Sequence, residues 1–162
     1  MPFTPLHMGP GLLVKACLQG AFSLMVFGWS QILIDLQPLY VILAGEGRLH
    51  GFSHTYLGAA LIAPVAAVSG KYLGEIGLRL VDLQSFNPIR WPVAVASAFI
   101  GTFSHVLIDS VMHGDMRPLA PFSDHRYLLR LVSVDTLHML CVASAIVGAA
   151  GWLLLRRLRA AN

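Results

Sequence analysis

The stretch SVDTLHMLCVASAIVGAAGWLLL, residues 133–155, followed at once by Arg156-Arg157-Leu158-Arg159, decides what kind of protein this is. It is apolar apart from Asp135, His138 and small polar residues. About twenty residues at about 1.5 Å each cross a hydrocarbon core, so this segment is long enough to span one. The composition of the 162-residue chain agrees, with 56% hydrophobic residues, 12% charged residues and a mean hydropathy of +0.70. So few charges cannot cover the surface of a soluble domain of this size. Disorder and a soluble nucleic-acid-binding domain are both excluded. The net charge of +3 is small, and its arginines flank apolar runs without forming a basic stripe.

Working outward, residues 91–113 form another span, opened by Pro92 at a first-turn position. A third starts at His54 and runs to about Ser69, where Pro64 is expected to kink it. It continues as an amphipathic stretch from Lys71 to Leu83 before a loop over 84–90. The front of the chain, Leu6 to Leu43, has two readings: a short helix, a turn near Gly20 and a second helix to about Ala44, or one span from Ala21 behind a peripheral N-terminus. Leu12, Leu13, Ala16 and Leu18 make the first segment too apolar for a free tail and favour the hairpin. Pro5, His7 and Pro10, with no basic region ahead of them, do not read as a cleavable signal peptide. Cys17 and Cys141 stand alone in apolar runs and read as small buried hydrophobes. The expected fold is all-α: a single-domain polytopic membrane bundle over 1–162, with four full spans and a short N-terminal helix.

In such a bundle the helices alternate in direction, so alternate starts and ends share a pole. That rule brings His7, Asp35, His50, His54, His105, Asp109, His113, Asp135 and His138 to one end. Ionisable groups at membrane depth are costly and mark functional sites facing the bundle interior. His105, Asp109 and His113 are spaced i, i+4, i+8 and line one helix face. His50 and His54 share an i, i+4 spacing if the helix already includes them. Imidazoles with carboxylates suit a divalent transition metal, zinc before manganese or iron. The competing reading is a set of buried polar groups hydrogen-bonding between helices.

The run Gly51-Phe52-Ser53-His54-Thr55 resembles the Gly-Phe-Thr-His-Ser core of the YdjM-like family, LexA-regulated inner-membrane proteins classed as metal-dependent hydrolases. Ser104-His105-Val106-Leu107-Ile108-Asp109 resembles the family's Ser-His-x-x-x-Asp helix. Gly114 through Pro121-Phe122-Ser123-Asp124 is similar to the segment that follows it. His7, Asp35 near Pro38, and Asp135 match further family positions. His50 stands where the family usually has arginine, Leu49 where it often has histidine, Ile34 where it has proline and Ala120 where it has tryptophan. The resemblance implies a membrane-embedded hydrolase whose metal is held by His7, Asp35, His54, His105 and Asp109. His50 or His113 would be a general base or an orienting group, with Ser104, Asp135 and His138 as outer partners. Arg117, Arg126 and Arg130 could meet a phosphate or carboxylate. The expected substrate is a lipid or a phosphate or acyl ester. Two other classes stay open: a small non-catalytic subunit docked on a larger membrane complex or on a second copy, and a metal or proton transporter. Lys71, Arg79, Arg90, Arg156, Arg157 and Arg159 fall at the pole opposite the site, with Lys15 nearer that pole, against Arg48, Arg117, Arg126 and Arg130 at the site pole, and this excess puts the C-terminus in the cytoplasm of an inner membrane.

Overall fold

The computed structural model describes residues 5–160, and six α-helices carry the fold. They are α1 (Met8–Leu18), α2 (Leu24–Ile34), α3 (Leu36–Ala44), α4 (Tyr56–Leu80), α5 (Trp91–Met112) and α6 (Val134–Ala160). Four segments are long and apolar enough to cross a membrane: Leu24–Ala44, which is α2 with α3, then α4, α5 and Val134–Arg159. The short helix α1 precedes them, as expected.

The front of the chain is the hairpin. α1 ends at Leu18, a 3-10 turn covers Gln19–Ala21, and Phe22 is extended. Ser23 then caps α2 by accepting from the Val26 amide. The residue with positive φ at this turn is Gln19 (φ 49°), not Gly20. Lys15 makes the turn affordable, because its Nζ donates to the carbonyls of Gln19 and Phe22, both at 2.7 Å.

The second span is interrupted at Asp35. Pro38 explains the break, since it has no N–H for the Ile34 carbonyl and its ring crowds that carbonyl. The next span opens later than expected. His50 lies in a turn, Phe52–His54 forms a 3-10 turn, and α4 begins only at Tyr56, capped by Thr55. The condition for His50 and His54 to share a helix face at i, i+4 is therefore not met. α4 runs through Pro64 to Leu80, so the amphipathic stretch belongs to the same helix. α6 likewise runs on through Arg156, Arg157 and Arg159.

Helices α2, α4 and α5 pack into one core rich in small residues, with Ala63, Ala66, Ala67, Ala94 and Ala98 against Val26 and Val93. Small side chains let backbones approach where lipid gives no hydrophobic drive for association. Ser97 Oγ accepts from the buried Ser23 amide at 2.9 Å, and Trp29 donates to Ser69 at 2.8 Å. α6 stands at the periphery. Far less of it is buried than of α5, and its main neighbour is α1. Cys141 is buried there, whereas Cys17 is exposed.

The α1–α6 contact is backbone on backbone. A Cβ at Gly148 would lie 2.3 Å from the Leu13 nitrogen and 2.4 Å from the Leu12 carbonyl carbon. No side-chain movement relieves that clash. Gly148→Val is expected to cost at least the about 1–3 kcal/mol of overpacking and to lower the thermal midpoint in detergent. Gly20→Ala, with nothing within 4 Å of the added Cβ, should leave the midpoint unchanged.

Candidate metal centre

Four separate pieces of chain bring the site together. His7 closes the 3-10 turn ahead of α1, and Asp35 sits at the break between α2 and α3. His54 closes the 3-10 turn ahead of α4, while His105 and Asp109 share one face of α5. The His54 turn is pinned from outside. Gln37 Oε1 accepts from the Ser53 amide at 2.7 Å, and the Tyr56 amide donates to the Pro118 carbonyl at 2.8 Å. Only glycine fits at position 58, because a Cβ there would stand 2.0 Å from the Phe52 carbonyl oxygen.

The five side chains are buried, His54 to 1% exposure and Asp109 to 4%. His54 Nε2 lies 3.4 Å from Asp35 Oδ1 and 3.5 Å from Asp109 Oδ2. His105 Nε2 lies 3.3 Å and 3.2 Å from the same two oxygens. His7 Nε2 stands 3.2 Å from the other Asp109 oxygen, Oδ1. Ligands at about 2.0–2.2 Å from one ion sit about 3.0–3.5 Å from their neighbours. The observed separations are of that size.

The imidazoles are held from behind. Gln31 Nε2 donates to the Gly101 carbonyl at 3.0 Å, which turns its Oε1 to within 2.6 Å of His105 Nδ1. That oxygen can only accept, so His105 carries its proton on Nδ1 and a neutral ring presents a bare Nε2 to the carboxylates. Ser53 Oγ lies 2.9 Å from His54 Nδ1 and orients that ring, as donor or as acceptor. A lone pair facing a carboxylate is repulsive unless a proton or a metal ion stands between them. Both nitrogens of His7, Nε2 of His54 and His105, and Oδ1 of Asp109 are buried without a hydrogen-bond partner. Buried polar atoms are rarely left so, and ligand-capable atoms of this kind fit a divalent cation.

His50 and His113 lie beside the cluster, half-buried. Their rings stack at 4.2 Å, and His50 Nδ1 is 2.9 Å from both oxygens of Asp115. Burial disfavours charge on His113 and holds its pKa below the ordinary value. Burial acts against the ionised Asp115 carboxyl too, but the hydrogen bond from His50 prevails and its pKa is lowered.

The remaining candidates sit elsewhere. Ser104 donates to the Gly101 carbonyl of its own helix at 3.1 Å. Asp135 is exposed in the first turn of α6, where a carboxylate complements the helix dipole, and Ser133 caps that helix. His138, half-buried, makes no hydrogen bond, ion pair or ring contact with the cluster among the described residues, although α6 also packs on the Pro5–His7 turn. α6 packs along α1 and barely meets α5, which carries His105 and Asp109. Arg117 pairs with Asp124 at 2.9 Å, and Arg126 donates to the Gly114 carbonyl, so both brace the loop after α5.

A family model described as YdjM inner membrane protein matches residues 16–161. The chain belongs to the YdjM family. Asp35, His54, His105 and Asp109 lie inside the matched stretch, and His7 lies ahead of it. No curated protein and no solved structure matches the chain. As a YdjM protein with four apolar spans, it is an integral membrane protein.

Gln31 and Gln37 are the residues that reading for charge overlooks, since glutamine carries none. Gln31→Leu removes the acceptor of a buried imidazole N–H and should cost about 1–3 kcal/mol. The measurement is thermal unfolding in detergent, with an unchanged midpoint as the contrary result.

Proposed function

We propose that this YdjM protein is a membrane-embedded, metal-dependent hydrolase acting on an ester or phosphoester of an amphiphile. The observation that supports this most is the convergence of His54, His105, Asp35 and Asp109, with His7 behind them, in a buried cluster with orphaned ligand atoms. A divalent ion held there would polarise the scissile oxygen and make water acidic enough to attack near neutral pH. The chain's own residues do the rest. Gln31 and Ser53 fix ring orientation, Asp35 and Asp109 balance the charge, and His50 and His113 line the open side where substrate arrives.

The loop after α5 suits an amphiphile. Phe122 is 85% exposed, and Tyr127 and Leu131 are exposed beside Arg117, Arg126 and Arg130. Aromatic and basic residues mixed in this way belong to a headgroup layer. At the other pole, Lys15 and Arg156 both lie against Phe86, and Lys71 is paired with Glu75 and lies over Trp91. Arg90, Arg157 and Arg159 share that end. The excess of basic residues there is retained in the cytoplasm, so the site opens to the outer leaflet.

With the protein reconstituted in vesicles and supplied with zinc or manganese, esters and phosphoesters of the lipid should be hydrolysed. His54→Ala and Asp109→Asn should abolish turnover together with bound metal. Metal-loaded protein that cleaves neither class would overturn the reading. Orientation has its own test. An enzyme reporter active only in the cytoplasm, fused after Asn162, should be active, and activity of a periplasm-only reporter there would reverse the assignment.

A further inference from the structure

We infer that His50, His113 and Asp109 hold a second divalent cation at the open side of the centre, with Asp109 shared between the two ions. This rests on the proposed function and deepens it. One ligand-capable atom from each of the three residues falls within 4.8 Å of the others, a set separate from Asp35, His54 and His105. The two sets are adjacent: the ring of His50 stands 5.0 Å from that of His54.

The chemistry of His50 is already committed. Its Nδ1 faces both oxygens of Asp115 at 2.9 Å, and a carboxylate only accepts, so Nδ1 carries the proton. The remaining nitrogen, Nε2, is then a free lone pair when the ring is neutral. A carboxylate behind a ligating imidazole is the usual way of fixing its tautomer and raising its basicity. The partner ring of His113 stacks on it at 4.2 Å with an interplanar angle of 25°, and no hydrogen bond holds the His113 imidazole among the described residues. Asp109 supplies the bridge. Its Oδ2 faces His54 and His105, and its Oδ1 lies on the other side, 3.2 Å from His7 Nε2. A carboxylate with both oxygens turned toward ligand-capable nitrogens can serve two ions.

Two dications against the carboxylates of Asp35, Asp109 and Asp115 leave a centre with net positive charge. Such a centre draws an anionic group, and paired ions are suited to clamping a phosphoryl oxygen. The substrate class is therefore narrowed to phosphoesters.

The test is a titration of Mn²⁺ into the metal-stripped full-length protein in detergent, read by metal content and by electron paramagnetic resonance. The wild type should bind two ions per chain with the spectrum of an exchange-coupled pair. The double variant His50→Ala/His113→Ala should bind one ion with an uncoupled spectrum, and its circular dichroism should report an intact fold. Asp115→Asn should weaken the second ion alone, by about 10–100-fold. One ion in the wild type, lost in His54→Ala, overturns this inference and leaves the proposed function standing. Two ions retained by the double variant overturn it as well. No bound ion in the wild type overturns both.

Discussion

The structure turns on the contact between two buried carboxylates, Asp35 and Asp109, and the Nε2 atoms of His54 and His105 at 3.2–3.5 Å. Taking such groups out of water is expensive unless each charge finds a partner. Much of the irregular backbone near this pole serves that pairing. The break forced by Pro38 places Asp35 where a helix would otherwise continue. The 3-10 turn at Phe52–His54 swings His54 under α5 and is braced by Gln37 and Pro118. The hairpin at Gln19 returns α1 so that His7 arrives at the same end.

The regular part of the molecule makes this possible. Alanine and serine faces on α2, α4 and α5 bring backbones close and fix Gln31 against Gly101, and through it the ring of His105. At the far pole, Lys15, Lys71 and Arg156 meet carbonyls, a carboxylate and aromatic faces. Charge is thus paired or placed at an end, and the apolar exterior of α6 is left to the surroundings.

The spans and the shared pole were legible because hydropathy sets them and because antiparallel helices must alternate. His7, Asp35, His54, His105 and Asp109 followed from that geometry together with the family motifs. What escaped was local. No periodicity marks the 3-10 turn that delays α4 to Tyr56, since it depends on tertiary braces from Gln37 and Pro118. The turn falls near Gly20, where the sequence points, but its positive-φ residue is Gln19, whose carbonyl the Lys15 ammonium holds. Asp135 and His138 obey the alternation rule and still miss the site, because pole alone does not say which helix is next to which. α6 chose α1 through the glycine contact at Gly148. No spacing marks Gln31 or Asp115 in the sequence, because their roles exist only through His105 and His50.

The central claim is that the buried imidazoles and carboxylates act together as a metal centre. X-ray absorption at the zinc edge of the zinc-loaded protein tests this directly. The account predicts a first shell of nitrogen and oxygen at about 2.0–2.1 Å, with the outer scattering of imidazole and no sulfur. A sulfur shell at about 2.3 Å, or light-atom scattering without imidazole, would place the metal on cysteine or water and contradict it.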